Sequence, residues 1–448
     1  MHPTGRFVIL IGALCLPVGM IRADVISDTL RAMGSKPGAP ELDGRLQEIL
    51  NDDFRAGRFE AALAKVRPLT RAYADHPEVW FVLGAVSLQR QEWSEAIVAA
   101  DRSLQLRVDW LPAYGLKGIA LTAAGRNEEA ERVFDRTIQL APKDPGPRIQ
   151  RGTHFLHRKT ASSDDYRRAL ADFEQALRLG AIGGGVLTLI GQTHLKLKDP
   201  TQAESSFRRA LSEDPTDVAA VTEIVALCDG SNRGVEGSRW LDAAGRAIAG
   251  RPDDPEVRGQ LELVRARHGR HLGEAPARIE RSFRDAIAQA PLLTVARSEF
   301  AEWLDSQGRT REAVPVLREG LREPPFDPHL AANLAWALAE SGSANDMAEA
   351  RRWLAIARKL EPNDPYLADT AAWIEHRAGD DAKALQMIGP ALKLVDQVPE
   401  VAYHLGVIQA GLGRREEARR SLRQALDARR PFPGEGEAKK LLRTLTSG

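Results

Sequence analysis

Small, large and apolar residues return at fixed offsets in successive stretches of about 34 residues. One stretch begins at Pro77, the next at Leu111 and a third at Gly184. With the first residue counted as offset 1, offsets 4, 8, 20 and 24 recur in each. The spacing predicts pairs of helices, each about 14 residues long and marginal alone, which become stable by stacking on their neighbours.

The residue types at these offsets predict how the two helices of a pair meet. A small residue at offset 8 lets the first helix approach the second, a small residue at offset 20 fits the other side, and a large apolar residue at offset 24 fills the seam. Offset 8 is occupied by Gly84, Gly118, Gly152, Gly191, Ala301, Ala335, Ala372 and Gly406. Offset 24 is occupied by Phe134, Phe173, Phe207, Phe283, Leu317, Leu354 and Leu422.

The recurring segments resemble the tetratricopeptide repeat. The resemblance is clearest in AYGLKGIALTAAGRNEEAERVFDRTIQLAPKDP and VLTLIGQTHLKLKDPTQAESSFRRALSEDP. The resemblance implies an all-α fold, a right-handed superhelix (α-solenoid) of about eleven helix-turn-helix repeats. The register places the repeats in residues 43–432. Their expected first residues are Asp43, Pro77, Leu111, Pro145, Gly184, Val218, Pro255, Thr294, Pro328, Pro365 and Pro399.

The period slips at four polar or Gly-rich stretches, which we expect to be insertions in or beside turns. They are residues 158–166, 229–238, 267–276 and 341–347. At the ends, residues 24–42 predict a flexible leader, and residues 433–448 predict a capping helix with Leu441, Leu442 and Leu445 facing inward.

Residues 1–23 have the layout of a secretory signal peptide. Arg6 precedes an apolar run from Phe7 to Leu16, and Ala23 stands before the expected cleavage at Asp24. The run is too short for the roughly 20 residues of a membrane span. We therefore expect a periplasmic or secreted chain with no transmembrane span after signal removal. An uncleaved anchor, or lipidation at Cys15, is the alternative.

Composition narrows the classes of partner. The chain carries 62 Lys+Arg and 62 Asp+Glu, so it has no net positive charge that would favour binding to nucleic acid. The chain has two cysteines, and cleavage of the signal segment would leave only Cys228. A disulfide framework is therefore excluded.

No constellation in the sequence predicts catalysis, a cofactor or a metal. GAIGGG at 180–185 follows a helix and is expected to be a turn. His154 and His157, and likewise His268 and His271, have metal-compatible spacing but lack the acidic residue of an HExxH helix, so we interpret them as solvated. Cys228 is interpreted as a core residue. We expect a chain that is not an enzyme.

In proteins with this repeat, offsets 2, 5, 9 and 12 line a concave binding surface. The carboxylate clamp of chaperone-binding members is absent here. Phe81, Ala85, Leu88, Leu116 and Ile119 could form an apolar groove, with helix packing as the alternative. A second candidate is a partner-binding stripe near the C-terminal end. Its residues are Asn333, Trp336, Asp369, Thr370, Trp373, Tyr403 and His404.

Residues 328–446 contain AANLAWALAESG, PYLADTAAWIEHRAGDDAKAL and VAYHLGVIQAGLGRREEARRSL, which resemble exported bacterial repeat proteins. Many of these belong to exopolysaccharide or exosortase (PEP-CTERM) systems. The resemblance implies a non-catalytic protein–protein interaction scaffold of the cell envelope, with protein partners and a role in exopolysaccharide or surface-protein export. The alternatives are a glycan-binding module that contacts a nascent polysaccharide, and an enzyme, which would need a pocket with clustered titratable groups.

Overall fold

The computed structural model describes residues 26, 40–250, 254–322, 326–341, 343–428, 432 and 434–446. These residues form helices in consecutive antiparallel pairs, and the part of the chain described contains no strand. The expected all-α solenoid of helix pairs is confirmed. Residue contacts divide it into two compact units, with the boundary between Ala290 and Pro291.

The N-terminal unit contains seven helix pairs, the first of which includes a π-helical stretch at Ile49–Phe54. Its helices are α1 (Pro40–Glu48), α2 (Phe59–Ala72), α3 (Pro77–Gln89), α4 (Trp93–Leu106), α5 (Leu111–Ala123), α6 (Asn127–Leu140), α7 (Gly146–His157), α8 (Ser163–Arg178), α9 (Gly184–Lys196), α10 (Pro200–Glu213), α11 (Val218–Gly230), α12 (Gly234–Ala249), α13 (Pro255–Leu272) and α14 (Pro276–Gln289).

The C-terminal unit contains four further pairs and a final helix. Its helices are α15 (Thr294–Ser306), α16 (Thr310–Gly320), α17 (Pro328–Ser341), α18 (Ala344–Leu360), α19 (Pro365–Arg377), α20 (Asp381–Met387), α21 (Pro399–Gly411), α22 (Arg415–Asp427) and α23 (Glu435–Thr446). The second helix of the third pair is interrupted, because α20 gives way to a 3-10 turn at Gly389–Leu394. Pro390 lies at this junction and has no N–H to continue the helical ladder.

The seam between paired helices follows from the small residues at offset 8. A Cβ at Gly118 would lie 2.4 Å from the Phe134 ring, and a Cβ at Gly191 would lie 2.4 Å from the Phe207 ring. Both rings are fully buried. Glycine therefore lets a phenylalanine of the second helix lie directly on the backbone of the first. At Gly118, Gly152, Gly191 and Gly406 the residue that lies on offset 8 is the one at offset 24, whereas Gly84 faces Leu116 and the Ala96 carbonyl. The alanines at offset 20 are buried.

Arginine–carboxylate pairs link successive helix pairs at the surface. Arg318 in α16 binds Glu349 in α18 through two hydrogen bonds of 3.0 and 2.6 Å. Arg351 binds Glu375 in the same two-pronged way at 3.1 and 2.6 Å. This geometry uses the planar guanidinium, and a lysine could not reproduce it.

The insertion expected at residues 267–276 is mostly helical and not part of a turn. Residues 267–272 continue α13, which ends at Gly273 with a φ of 66°. No proline lies between residues 256 and 272, and Gly269 is accommodated within the helix, so the additional residues extend it. Similarly, residues 234–238 begin α12 and do not form part of a loop.

Two interpretations were open for the apolar residues near the N-terminal end, a groove or helix packing, and the structure supports helix packing. Phe81, Ala85, Leu88 and Leu116 are at most 4% exposed and belong to one hydrophobic cluster with helices α1–α6. Phe81 packs on Trp110, with ring centroids 4.9 Å apart. The alternative, helix packing, is the correct interpretation of these residues.

The expected signal segment, 1–23, lies outside the described residues, as does most of the expected leader. Within the leader, Ile26 is buried in the N-terminal cluster, and α1 already begins at Pro40. None of the described helices combines the length and apolar character that a membrane crossing requires.

Candidate functional site

Four ring-bearing residues of the expected stripe meet in the C-terminal unit, and we call them the aromatic–histidine cluster: Trp336, Trp373, Tyr403 and His404. They come from α17, α19 and α21, the first helices of three pairs that stack on one another. Corresponding offsets on stacked helices lie side by side, so residues far apart in sequence form one surface.

The rings contact one another in a continuous row. Trp336 and Trp373 are stacked, with centroids 5.7 Å apart and an interplanar angle of 15°. His404 is tilted against both, 4.3 Å from the Trp373 ring and 5.6 Å from the Trp336 ring. Tyr403 is also tilted against Trp373, with centroids 5.9 Å apart. Contacts of this kind stabilise the three-helix arrangement beyond the burial of apolar area.

Carboxylates fix the polar atoms of the cluster. The Asp369 carboxylate lies 2.9 Å from His404 Nδ1, in a pair that is almost fully buried. The Trp373 indole N–H donates to Glu340 Oε1 over 2.8 Å, and Arg377 lies 3.4 Å from the same carboxylate oxygen. The Trp373 indole N–H and His404 Nδ1 thus each have a carboxylate partner, which holds the ring in one orientation.

Exposure divides the stripe into a floor and a rim. Asp369, Trp373, Tyr403 and His404 are at most 9% exposed and form the floor. Asn333, Trp336 and Thr370 are partly exposed, and with Tyr366, which is 54% exposed, they form the rim. A partner could contact the rim directly, whereas the floor acts by positioning it.

The chain's own C-terminal segment covers part of the floor. Phe432 lies 5.8 Å from the Tyr403 ring, and Ala438 of α23 belongs to the same buried cluster. Gly434, with a φ of 86°, passes so close that a Cβ there would lie 2.4 Å from the Tyr403 ring. Tyr403 therefore packs against this segment, and its contact with a partner stays a prediction.

Burial also changes the chemistry of Tyr403. Its pKa is raised, first because the ring is removed from water and then because Glu437 and Glu340 are nearby. The phenol consequently remains neutral well above physiological pH.

Sequence reasoning missed Glu340, Phe432 and Tyr366. Glu340 lies four residues after Trp336, and this helical spacing was a usable signal for a shared face. Tyr366 occupies offset 2 of its repeat, one of the offsets expected to face the concave surface. Nothing in the sequence predicted that Phe432 would lie on Tyr403.

The histidine pairs were interpreted wrongly in part. His154 and His268 are buried, 2% and 3% exposed, whereas His157 and His271 are exposed. Spacing alone could not separate them, because burial depends on which face of α7 or α13 meets a neighbouring helix. Cys228 is fully buried, and burial raises the pKa of its thiol, as expected of a core residue. Gly180 and Gly183 have positive φ in the turn before α9, also as expected.

His329, Glu361 and Asp364 bring their ligand atoms within 4.8 Å of one another. His329 and Glu361 are exposed, and Asp364 already accepts the N–H of Tyr366 at the start of α19. Exposed groups of this kind are common without an ion, so the cluster assigns no metal.

Comparison with known proteins finds the tetratricopeptide repeat family at residues 49–107, 161–218, 299–365 and 399–431. The cellulose synthase operon protein C of Xanthomonas axonopodis pv. citri (strain 306) is 25% identical over 283 residues, 60% of this chain and 16% of that protein. Anaphase-promoting complex subunit 7 of Mus musculus is 28% identical over 176 residues, 39% of this chain and 30% of that protein. The chain thus spans less than a third of the length of either relative.

Among solved structures, the APC/C hetero-tetramer Cut9–Hcn1 matches 94% of this chain and 92% of its own, with a TM-score of 0.45 and 14% identity. Yeast Tom70 matches 84% of this chain and 97% of its own, with a TM-score of 0.43 and 13% identity. Such similarity says nothing about activity or partners.

Proposed function

We propose that this chain, which is built from tetratricopeptide repeats, is a scaffold that binds a protein partner in the bacterial cell envelope through the rim of its aromatic–histidine cluster. The repeats supply a preformed surface, so a partner binds without first ordering the scaffold. The rim residues Asn333, Trp336, Tyr366 and Thr370 would make the contacts.

The observation that carries this proposal is the combination of a rigid floor with a partly exposed tryptophan. Trp336 stacks on Trp373, and Glu340 and Asp369 hold the rings of the floor. Tryptophan is enriched among the residues that dominate binding energy, and an ordered support lowers the entropy lost on binding. Asn333 and Thr370 add hydrogen-bonding groups beside it.

The envelope location rests on the signal-like segment at 1–23 and on a relative named for a cellulose synthase operon. The segment supports export, and the name of the relative supports exopolysaccharide export as the process. N-terminal sequencing of the protein recovered from cells should find a start near Asp24. An intact Met1 would contradict export by a cleaved signal.

The second candidate is a module that binds the polysaccharide itself. A tryptophan face beside amide and hydroxyl groups is also the chemistry that holds a sugar ring. In this case cellohexaose or carboxymethylcellulose should change the tryptophan fluorescence of the purified chain.

Photo-crosslinking separates the two candidates. Benzoylphenylalanine replaces Trp336 in living cells, and Trp240 of the N-terminal unit is replaced in the matched control. The scaffold proposal expects one discrete protein adduct from position 336 that position 240 does not give. Tyr366→Ala and Thr370→Ala should each weaken this adduct.

The glycan alternative expects no protein adduct at position 336, together with a fluorescence change that Trp336→Ala abolishes and Trp240→Ala retains. If neither an adduct nor a fluorescence change depends on position 336, the rim is not the binding surface.

A further inference from the structure

The N-terminal unit joins a serine, a histidine and an aspartate in one hydrogen-bonded chain. Ser238 Oγ lies 2.9 Å from His268 Nε2, and His268 Nδ1 lies 2.8 Å from Asp229 Oδ1. The three residues come from α12, α13 and α11. We propose that they form a nucleophilic site for acyl transfer, in which Ser238 attacks an ester.

The roles follow from the donors and acceptors. An ionised carboxylate can only accept, so Asp229 takes the Nδ1–H of His268 and leaves Nε2 as an acceptor. The Ser238 hydroxyl can then donate to Nε2. Its alternative acceptor, the Gly234 carbonyl one turn earlier, is farther away at 3.2 Å. Serine, general base and orienting carboxylate are therefore placed as in a Ser-His-Asp triad.

Burial is compatible with these roles. His268 is 3% exposed, which keeps its hydrogen bonds away from competing water. Ser238 is partly exposed, so a substrate could reach its oxygen. Gly237 makes the approach possible, because a Cβ there would lie 2.9 Å from His268 Cε1.

A groove of about 830 Å³ begins one helical turn away. Its lining includes Asp242, four residues after Ser238 on α12, and Arg265, three residues before His268 on α13. Such spacings share a helix face, so the groove lies along the same two helices as Ser238 and His268, and its lining does not include the three residues of the triad. Arg265 lies 3.4 Å from Asp242 and 3.3 Å from Glu262. This polar lining suits an ester of a hydroxyl-rich alcohol.

The reaction would have two halves. Ser238 Oγ bonds to the ester carbonyl carbon while its proton passes to His268 Nε2, and the C–O bond to the alcohol then breaks as the alcohol takes that proton. Water next attacks the acyl-serine, giving its proton to His268. The Oγ–C bond breaks, the proton returns to Ser238, and the acid leaves. The net reaction is ester plus water to acid plus alcohol.

The test uses the full chain and a fluorophosphonate probe, in which Ser238 Oγ would bond to phosphorus and release fluoride. Peptide mapping should place the label on Ser238, and Ser238→Ala should abolish it. His268→Gln should slow labelling by about 10²-fold or more, the low end of a general base's contribution. Asp229→Asn should slow it as well. Ser212→Ala, an exposed serine bonded to a backbone carbonyl, should change nothing.

Alanine is compatible with a helix interior, so Ser238→Ala should fold, and circular dichroism checks each variant. p-Nitrophenyl acetate gives a second readout, since an acetylated Ser238 peptide is expected by mass spectrometry. Failure to label Ser238 in the wild-type chain overturns the proposal. Equal labelling of folded His268→Gln does so too. Neither result depends on the C-terminal rim.

Discussion

Two groups of first-helix residues lie at offsets 5, 6 and 9 of their repeats but differ in burial and in hydrogen-bond partners. In the N-terminal unit, Phe81 and Leu116 are buried within one apolar cluster. In the C-terminal unit, the rings of Trp373 and His404 are buried but held by Glu340 and Asp369, and Trp336 remains partly exposed above them. The first group is core, and the second is a supported surface.

The difference lies in the side chains that surround each group. Nearly every residue of α3 is buried, which an apolar helix requires. The first helices of the C-terminal cluster carry polar side chains at the equivalent turns. Asn333 and Thr370 stay partly exposed, whereas Asp369 is buried with His404 as its partner. An offset in the repeat therefore predicts which helix face a residue occupies, while its neighbours decide whether that face is open.

The largest expected effect tests the N-terminal group as core. Phe81→Ala should lower the free energy of unfolding by about 3–5 kcal/mol, because it removes a buried ring and leaves a cavity. Urea denaturation followed by circular dichroism measures this. Val98→Ala, at a site 65% exposed, is the control and should change little. A loss below about 1 kcal/mol for Phe81→Ala would return these residues to a surface groove.

The second prediction compares two buried histidines. His404 contacts a carboxylate, whereas His154 contacts the Thr122 hydroxyl through Nδ1 at 2.8 Å and has a buried Nε2 without a partner. Burial lowers the pKa of His154 to about 4. Above pH 6.5 the ring is neutral in both states. As the pH falls from 6.5 to about 4, the unfolded chain gains a proton that the native chain does not.

Stability should therefore fall through that window by an amount that totals roughly 3 kcal/mol, with no further loss from this group at lower pH. Denaturation at a series of pH values measures the decline, and His154→Gln should remove this part of it. His404→Gln serves as the comparison and should retain the part of the decline that depends on His154. If His154→Gln and the wild type decline in parallel, His154 is not the group that titrates.

The third prediction tests the support beneath the rim. Asp369→Ala should cost about 1–3 kcal/mol, because it leaves the buried His404 Nδ1 without its acceptor. Asp164→Ala, at an exposed ion pair, should cost little. Thermal and urea unfolding measure both. An Asp369→Ala variant as stable as Asp164→Ala would show that the carboxylate does not hold the cluster.

The smallest expected effect on stability is at the rim itself. Trp336→Ala should cost about 1 kcal/mol through loss of its stack on Trp373. The same variant should nevertheless remove partner binding, which the crosslinking experiment reads. A stability loss as large as that of Phe81→Ala would make Trp336 a core residue and end the distinction between the two groups.

Much of the fold could be predicted because it depends on local spacing. Glycine at 118, 152 and 191 and phenylalanine at 134, 173 and 207 predicted a close helix seam, and the structure confirms it. Nine of the eleven described first helices begin at the expected residue, Pro77, Leu111, Gly184 and Pro365 among them, whereas the helices expected at Asp43 and Pro145 begin at Pro40 and Gly146. Helix periodicity and side-chain volume are properties of a short segment, and a sequence displays them directly.

The sequence by itself determined the helix pairs and most of their register, and it predicted that Trp336, Trp373, Tyr403 and His404 lie side by side. The tertiary structure alone decided that Trp373 and Tyr403 form a floor, that Phe432 covers Tyr403, and that Asp229, Ser238 and His268 meet. Those outcomes depend on contacts between helices that are 10 to 40 residues apart. The burial and hydrogen bonding of a side chain are set by such neighbours, which no local pattern specifies.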